Sequence, residues 1–283
     1  AFEKMAGLRL TVERDGAVWF ESTKLGDDKD RVLMRADGTP TYFLSDIAYH
    51  LDKYERGFDL IIDIWGPDHH GHVKRMQLAM EAAGMDAGKL KILIAQQVNL
   101  LEGAEKIKMS KRSGKTVEMR SLISDVGKDV TRYFFLRRSL DSHLDFDIEL
   151  ARKHTDENPV FYVQYAHARI CNILKFASDK GIEFRSYDSV NLLLLSSAEE
   201  KELIRKLMDF PVMLANSAEK LEVHWLPHYL EELAAVFHGF YGARRVVAED
   251  REMSLARLCL CEAVKKTLKR GLSLMGISAP ESM

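Results

Sequence analysis

The chain has 283 residues, of which 46% are hydrophobic and 30% charged, and its formal net charge is −2. This size and balance are typical of a globular protein with two domains, and the charge excludes a protein that coats nucleic acid through an overall positive field. No apolar run is long enough to cross a bilayer and no signal peptide is recognisable, so we expect a cytoplasmic protein without membrane contact.

The first predicted elements are a β-hairpin and a helix. Apolar and polar residues alternate over residues 8–20 around Arg14-Asp15-Gly16, which indicates a hairpin. A second turn is predicted at Asp37-Gly38. Thr39 then caps a helix over residues 40–54, whose first residue is a proline, as helix N-termini favour.

A strand, a turn, a helix and a second strand follow. Phe58–Trp65 is a largely apolar run that predicts a buried strand, and Gly66-Pro67 ends it. A helix is predicted from about His72 to Ala83, and residues 90–99 have strand character. This succession is typical of half of a doubly wound parallel sheet.

Beyond about residue 150 the pattern changes to long helical segments. They are predicted over Pro159–Ser178, Ala198–Asn216, Leu226–Val246 and Met253–Gly276. The short apolar run 192–195 is assigned to helix core rather than to a strand. The predicted fold class is therefore α/β plus all-α, with a Rossmann-like domain over residues 1–154 and a helical bundle over residues 155–283.

The basic stretch 108–114 carries the most specific chemistry. Lys108 and Lys111 place two ammonium groups three residues apart, and the serines and Gly114 let the backbone approach a polyphosphate and donate N–H groups. The alternative is a solvated basic turn. The order K-M-S-K-[SR] resembles the loop of class I aminoacyl-tRNA synthetases, whose lysines hold the phosphates of ATP as pyrophosphate leaves.

Residues 66–72 lie where a strand ends and a helix begins, which is where open α/β sheets bind ligands and helix N-termini favour anions. A zinc site is one interpretation, but all its candidate ligands lie within five residues on one loop. His69-His70-Gly71-His72 also fits the class I H-x-G-H motif, which in those enzymes lies much farther ahead of the lysine loop. We favour a G-x-D-x-x-x-H element, in which Gly66 and Asp68 approach a ribose and His72 lies near the nucleotide. A turn with solvated imidazoles is the remaining alternative.

Tyr42 and Asp46 lie four residues apart on the predicted helix and therefore share a face. A carboxylate beside a phenol hydroxyl can bind a cationic group, and Asp46 can form a charge-assisted hydrogen bond with a guanidinium. By periodicity alone, the alternative is a half-buried Tyr42 and a solvated Asp46.

Aromatic and basic side chains of the helical half can contact RNA. Tyr162, Tyr165 and Tyr241 offer rings on which unstacked bases can rest, although ordinary helix packing is the alternative for each of them. Residues that can contact phosphates or form solvated helix faces are Arg244, Arg245, Lys265, Lys266, Lys269 and Arg270.

The three cysteines are assigned as free thiols, which suits a reducing cytoplasm. Cys259 and Cys261 point apart on a helix, and no second pair or nearby histidine completes a four-ligand site. No metal site is therefore predicted.

In order and spacing, these motifs resemble those of arginyl-tRNA synthetases. The resemblance covers nearly the whole chain, and the segments that carry it are 37–49, 66–72, 108–114, 132–136, 156–169 and 256–283. The last of them resembles the end of that family's helical, DALR-type anticodon-binding domain. Cysteinyl synthetases share the helical domain and the lysine loop, but their cysteine-ligated zinc has no counterpart in this sequence.

The resemblance implies a class I catalytic domain followed by an anticodon-binding domain, and the ligation of L-arginine to tRNA(Arg) through arginyl-adenylate. It implies ATP with Mg²⁺, and no DNA partner. The residues that it assigns are Lys108, Ser110 and Lys111 to catalysis, Gly66, Asp68, His72 and Met109 to ATP, Tyr42, Asp46 and His69 to arginine, and Tyr162, Tyr165, Tyr241 and Met283 to tRNA.

The sequence departs from the family pattern in two ways. Arg112 stands where the lysine loop of the family ends in serine. The upstream half with H-x-G-H, which in the family also contacts the arginine α-amino and carboxylate groups, is not found, so we expect a C-terminal fragment that binds tRNA but does not form arginyl-adenylate alone. The alternatives are a non-catalytic RNA-binding module and a class I synthetase for cysteine or glutamate.

Overall fold

The computed structural model describes residues 2–103, 105–107, 117–183 and 186–283. The chain forms two compact units, Ala1–Gln97 with Leu140–Ser142, and Val98–Ser139 with His143–Met283. The domain boundary predicted between residues 154 and 155 lies inside the second unit and stays a prediction. Four residues of the lysine loop were assigned to the site, and all four lie outside the described residues. They are Lys108, Met109, Ser110 and Lys111.

The first unit contains the predicted hairpin near its start. After a short helix, α1 (Phe2–Ala6), strands β1 (Thr11–Arg14), β2 (Ala17–Phe20) and β3 (Arg31–Met34) form an antiparallel sheet. Asp15 and Gly16 both have positive φ, 52° and 73°, and this conformation matches the right-handed twist of hairpin strands. The hairpin prediction is confirmed.

Helix α2 (Tyr42–Glu55) begins two residues later than predicted. Its N-cap is Thr41, whose side chain accepts the backbone N–H three residues later. Thr39 bonds to Asp37 in the preceding turn, and Pro40 pairs with Met34 in an isolated β-bridge. The prediction of Thr39 as the cap was wrong, because the chain stays extended through Pro40 and the next threonine takes the capping position.

A parallel pair of strands follows, joined by a helix. Strand β4 (Ile61–Trp65) and strand β5 (Leu90–Ile94) pair in parallel, and helix α3 (His70–Ala82) connects them. Ile61 and Leu90 are buried in one core with residues of α2 and α3, whereas Ile62 and Ile64 on the other face are 44% and 63% exposed. The prediction of a buried strand is therefore correct for one face of β4 only.

The second unit begins with a small mixed sheet. Strand β6 (Val98–Glu102) pairs in parallel with β8 (Leu144–Asp147) and antiparallel with β7 (Glu105–Lys106). Helices α4 (Met119–Val126), α5 (Lys128–Leu136) and α6 (Ile148–Arg152) pack against this sheet around Phe134 and Phe146. The single strand predicted over residues 90–99 is in fact two strands, β5 and β6.

The rest of the second unit is a helical bundle, as predicted. Its helices are α7 (Pro159–Asp179), α8 (Ala198–Lys220), α9 (Trp225–Ala243) and α10 (Arg251–Leu274). Side chains of Asn158, Ser197 and Asp250 cap three of their N-termini, and this explains why those ends were predictable from the sequence. None of the helices described meets the combined length and hydropathy that a membrane crossing needs.

The apolar run 192–195 differs from its prediction. Leu192–Leu194 is a 3₁₀ turn, and the Leu193 side chain is 91% exposed, whereas Leu195 is buried. The assignment of the whole run to helix core was wrong, because a turn this short cannot direct consecutive leucines toward one core.

Candidate functional site

The turn after β4 presents a helix N-terminus at the carboxyl end of a parallel strand. Gly66 precedes a 3₁₀ turn, Pro67–His69, which leads directly into α3. A Cβ atom at Gly66 would lie 2.8 Å from Oδ1 of Asp68, so glycine allows that carboxylate to fold back against the turn. The Asp68 side chain remains 80% exposed. This edge of the sheet is therefore open to a ligand, and its helix terminus favours an anionic one.

Two neighbours define the protonation state of His72. Arg75 donates from Nη1 to Nδ1 of His72 at 3.1 Å, so Nδ1 is the acceptor and the ring proton lies on Nε2. Burial lowers the pKa of His72, the charge of Arg75 lowers it further, and Asp46 offsets part of this effect. The imidazole is therefore neutral near pH 7.

His72 also lies beside the carboxylate assigned to arginine. Its Nε2 is 3.3 Å from Oδ2 of Asp46, at an angle that does not form a hydrogen bond. Because the imidazole is neutral, it does not cancel the negative charge of Asp46, whose side chain is 50% exposed. The structure thus brings together one residue assigned to arginine and one assigned to ATP.

The remaining residues assigned to arginine surround this pair. Tyr42 is 86% exposed at the start of α2, so the alternative of a half-buried tyrosine is wrong. His69 is 57% exposed, with its ring centroid 6.4 Å from that of His72 and 6.1 Å from that of Trp65. An accessible phenol, a free carboxylate and two imidazoles make this surface suitable for a cationic group next to a nucleotide.

A buried ionic network supports Asp46 from behind. His50 donates from Nδ1 to the backbone oxygen of Asp46 at 2.7 Å, and its Nε2 lies 2.5 Å from Oδ2 of Asp63. The ammonium of Lys53 donates to the other oxygen of Asp63, and all three side chains are buried. Sequence reasoning missed this network, although an aspartate inside the apolar run of β4 was a signal that a buried partner exists.

A cavity of about 830 Å³ in the helical bundle forms a separate candidate site. Helix α7, the end of α9, the segment after it and the last residue of the chain surround it. Its lining residues are Tyr165, Ala168, Arg169, Asn172, Ile173, Phe176, Tyr241, Gly242, Ala243, Arg244, Arg245, Val246, Val247 and Met283. Three of the four residues assigned to tRNA therefore meet in one cavity.

Arg169 organises the aromatic residues of this cavity. Its guanidinium lies over the rings of Tyr165 and Tyr241, 4.9 and 5.2 Å from their centroids, and it also donates to the hydroxyl of Tyr165. The Tyr165 hydroxyl raises the pKa of Arg169 further, so the side chain remains a cation. Two rings and a planar cation of this kind can stack with unpaired nucleobases.

Sequence reasoning missed several lining residues of this cavity. Arg169, Asn172 and Phe176 follow Tyr165 on α7 at spacings of four, three and four residues, so they form one helical stripe with it. That spacing was the available signal. Tyr162 is not among the lining residues, and its ring packs against His238 with centroids 5.0 Å apart; its assignment to tRNA stays a prediction.

The basic residues left open by the sequence fall into two groups. Arg244 and Arg245 line the cavity, and Arg244 also pairs with Glu199 at 3.0 Å. Lys265 pairs with Glu262 at 2.8 Å, and Lys266 donates to the Tyr187 hydroxyl at 3.0 Å. The arginine pair is thus the one positioned to meet a ligand in the cavity.

In the part of the chain that the structure describes, no group of three or more His, Cys, Asp or Glu side chains is placed to hold a metal ion. The three cysteines are free, and burial raises the pKa of the Cys261 thiol to about 12.

Two family models match most of the chain. The model of the class I (R) tRNA synthetase catalytic domain matches residues 2–135, and the model of the DALR anticodon binding domain matches residues 163–283. The arginine–tRNA ligase of Desulforamulus reducens is 49% identical over 271 residues, which cover 96% of this chain and 48% of that protein. The arginine–tRNA ligase of Citrifermentans bemidjiense is 48% identical, and the match covers 100% of this chain and 51% of that protein.

Solved structures agree with these relatives. A candidate arginyl-tRNA synthetase from Campylobacter jejuni aligns with a TM-score of 0.88 and 37% identity, over 100% of this chain and 61% of that one. Thermus thermophilus arginyl-tRNA synthetase aligns with a TM-score of 0.79 over 100% of this chain and 58% of that one, and its 23% identity supports the fold alone. The chain spans about half the length of the curated relatives it matches. With both domain models matched in order, the chain belongs to the arginyl-tRNA synthetase family, and its fold is an α/β catalytic-domain segment followed by a DALR-type helical domain.

Proposed function

We propose that this chain forms part of an arginine–tRNA ligase and supplies surfaces for arginine, ATP and tRNA(Arg). One observation carries the proposal: a single chain holds both an exposed carboxylate surface suited to a guanidinium and an aromatic, arginine-lined cavity suited to unpaired bases. The relatives named above carry the name arginine–tRNA ligase, which favours arginine over cysteine and glutamate as the amino acid.

Arginine recognition is proposed to centre on Asp46. Its carboxylate accepts two N–H groups of the substrate guanidinium, and the hydroxyl of Tyr42 on the same helix face accepts or donates a further hydrogen bond. His69 lies at the side of this surface. The neutral state of His72 is essential to the proposal, because an imidazolium there would compete with the substrate cation for Asp46.

ATP is proposed to bind along the carboxyl end of β4. Gly66 and Asp68 approach the ribose, and His72 lies near the nucleotide, with the N-terminus of α3 facing the phosphates. Lys108, Ser110 and Lys111 hold the phosphates in this proposal, with Met109 against the nucleotide, and it rests for these residues on the sequence motif alone. Mg²⁺ enters with ATP as the counter-ion of its phosphates, and the protein is assigned no metal ligand.

The proposed reaction has two steps. A carboxylate oxygen of arginine attacks the α-phosphorus of ATP, pyrophosphate leaves, and the 3′-terminal ribose hydroxyl of the tRNA then attacks the carbonyl of arginyl-adenylate and releases AMP. The contribution of these residues is to orient the reactants and stabilise the charge that moves to the leaving pyrophosphate. No side chain of the described residues is required to form a covalent intermediate.

The helical cavity is proposed to receive unstacked bases of the anticodon loop. Tyr165 and Tyr241 provide stacking rings, Arg169 provides a planar cation, and Met283 closes one side. Tyr162 does not line this cavity, and its proposed tRNA role rests on the sequence resemblance alone.

Binding of tRNA(Arg) to the full chain, measured by fluorescence anisotropy, tests the RNA part of the proposal. We expect Tyr241→Ala to weaken binding roughly ten-fold or more, because one stacked base contributes about 1–3 kcal/mol. Tyr187→Ala removes an exposed tyrosine that does not line the cavity and should bind as the parent chain does. Equal affinity of the two variants would contradict the proposal.

Binding of arginine tests the other part. Isothermal titration of the full chain with L-arginine and with L-citrulline, whose side chain has a similar shape but no charge, should show a preference for arginine that Asp46→Asn removes. Asp52→Asn, an exposed carboxylate two turns along α2, is the matched control. If the chain binds tRNA but Asp46→Asn does not change its affinity for arginine, the function is that of an RNA-binding module.

A further inference from the structure

The final residues of the chain are held by side chains of α5 and α7 rather than by regular secondary structure. After α10 ends, the chain turns at Gly276, whose φ is 68°, and an added Cβ would lie 3.1 Å from the guanidinium of Arg132. That guanidinium donates from Nε to the backbone oxygen of Met275 at 2.7 Å. Met275 and Ile277 are buried, so the start of this segment is anchored in the core.

Beyond Ile277 the anchoring changes from apolar contacts to hydrogen bonds. The N–H of Ser278 donates to Oδ2 of Asp129 at 3.1 Å, and Gln164 donates from Nε2 to the backbone oxygen of Ser278 at 2.9 Å. His167 donates from Nδ1 to the backbone oxygen of Pro280 at 2.8 Å. Met283, which lines the cavity, lies three residues beyond the last of these bonds.

Gln164 and His167 lie on the same helix as the cavity residues Tyr165 and Arg169. Helix α7 therefore binds residues 278 and 280 through two side chains, and it lines the same cavity as Met283 through two others. We propose that Gln164 and His167 are positioning residues that hold residues 278–283, the C-terminal tail, so that Met283 is in place before a nucleobase enters the cavity. The proposal rests on the RNA-binding role proposed above.

The physical reason is conformational entropy. An unheld tail samples many backbone conformations, and fixing each residue costs roughly 1–2 kcal/mol, which binding would otherwise have to supply. Hydrogen bonds to two tail carbonyl groups supply part of that ordering during folding, so the cavity wall is preorganised. Ser278 and Pro280 accept through backbone oxygens, and the Ser278 hydroxyl also accepts from Gln164 and donates to Asp129. The holding therefore depends mainly on the geometry of side chains on α5 and α7.

Substitutions at His167 separate the hydrogen bond from the volume of the side chain. His167→Leu fills the buried site without a donor, whereas His167→Asn retains an N–H near the position of Nδ1. We expect His167→Leu to accelerate amide hydrogen exchange in residues 278–283 and to weaken tRNA(Arg) binding roughly five-fold, since one net hydrogen bond is worth about that factor. His167→Asn should show the exchange rate and the affinity of the parent chain. If the leucine variant folds poorly, Gln164→Ala, at a more accessible site, should show the same faster exchange and weaker binding that are expected of His167→Leu.

A double-mutant cycle with Met283→Ala tests whether the tail acts through the last residue. His167→Leu should weaken binding in the parent chain but have little further effect once the Met283 side chain is removed. Additive losses would overturn the proposal, and so would unchanged exchange in residues 278–283 in both the His167→Leu and the Gln164→Ala chains. If the parent chain itself does not bind tRNA, both the proposed function and the binding role of the tail are contradicted. The exchange measurement still decides whether Gln164 and His167 hold the tail.

Discussion

At the scale of single residues, the state of one imidazole decides what a neighbouring carboxylate can bind. His72 accepts a hydrogen bond from Arg75 on one ring nitrogen and faces Asp46 with the other. If the ring were charged, Asp46 would already have its counter-ion. Because burial and Arg75 both lower the pKa of His72, the carboxylate stays available to a cationic substrate.

Removing Arg75 should therefore raise the pKa of His72. Arg75→Met keeps most of the side-chain volume but removes both the positive charge and the N–H that occupies Nδ1, so the charged ring becomes easier to form beside Asp46. We expect the NMR titration midpoint of His72 to lie below 6.5 in the parent chain and to rise in this variant. Arg56→Met, an exposed arginine of the α2 C-cap, serves as control, and an unchanged midpoint in Arg75→Met would show that Arg75 does not lower the pKa of His72.

His167 makes stability depend on pH. Burial lowers its pKa below the usual 6.5, the charges of Lys265 and Lys269 act in the same direction, and the bond to Pro280 and the charge of Glu281 partly offset them. Cys171, one turn along α7, lies 3.9 Å from Nδ1. Above pH 6.5 the ring is neutral in both folded and unfolded chains, so it has no effect there. As the pH falls below 6.5, the unfolded chain takes up the proton first and the folded state loses stability.

Urea denaturation at pH 7.5 and pH 5.5 measures this loss. The parent chain should lose more stability than His167→Asn over that interval, because its folded state takes up the proton less readily than its unfolded state. Other histidines titrate in both proteins, so their contributions cancel in the comparison. Identical losses would mean that His167 gains its proton equally easily in the folded and unfolded chains.

At the scale of elements, α2 and β4 are joined by charges rather than by apolar contacts alone. The carboxylate of Asp63 satisfies both His50 and Lys53 within the core. Asp63→Ala leaves the ammonium and the imidazole buried without a counter-charge, and we expect a loss of about 3–5 kcal/mol in the free energy of unfolding. Asp59→Ala, an exposed aspartate just before the strand, should change it little.

Combining Asp63→Ala with Lys53→Met should recover part of that loss, because the uncompensated ammonium is then removed. Equilibrium unfolding in urea of the two variants and the double variant measures this recovery. A double variant that is less stable than Asp63→Ala would show that Lys53 contributes through its packing instead.

Helices α9 and α10 approach closely at a glycine. A Cβ atom at Gly271 would lie 2.6 Å from Cδ2 of the fully buried Leu230, so Gly271→Ala forces that side chain to move within a filled core. We expect a loss of about 1–3 kcal/mol, the usual effect of overpacking. Gly239→Ala is the matched control in α9, because an added Cβ meets no atom within 4 Å and the change should stabilise the helix by roughly 0.5–1 kcal/mol.

The elements that the sequence predicted well are those with local signals. The hairpin at Asp15-Gly16 and the helices capped by Ser197 and Asp250 follow from residues next to one another in the chain. Short strands such as β3 and β8 were not predicted, because four residues carry too little alternation and their pairing depends on distant partners. The N-terminal capping error at α2 had a local cause, since the bridge between Met34 and Pro40 keeps the chain extended up to Thr41.

At the scale of the whole molecule, the sequence predicted those parts of the candidate site that belong to short motifs. Tyr42, Asp46 and the Gly66–His72 turn were found from spacing and family resemblance. Arg169 and the network around Asp63 were not, because their roles arise only when helices pack and bring two tyrosines or a helix and a strand together. The helical spacing of Arg169 and the position of Asp63 inside an apolar strand mark these residues in the sequence, but they do not show which distant side chains each residue meets.

The overall charge of −2 leads to a prediction about how RNA binds. Without a global positive field, affinity must come from a few phosphate contacts and from stacking in the cavity, and these two contributions respond differently to salt. Arg169 is held between two rings, so we assign it to base contact, whereas the exposed Arg245 at the cavity rim is assigned to a phosphate. Each assignment predicts a different signature in a salt titration.

Affinity for tRNA(Arg) measured from about 50 to 300 mM KCl separates the two roles. Arg169→Met should weaken binding roughly ten-fold at every salt concentration without changing the slope of log K against log salt, because it removes stacking. Arg245→Ala should weaken binding less and make the slope shallower by about 0.7–0.9, as expected for one lost phosphate contact. Arg205→Ala, an exposed arginine of α8 that does not line the cavity, should leave both quantities unchanged. A shallower slope for Arg169→Met would reassign that guanidinium to the RNA backbone and return the two tyrosines to a packing role.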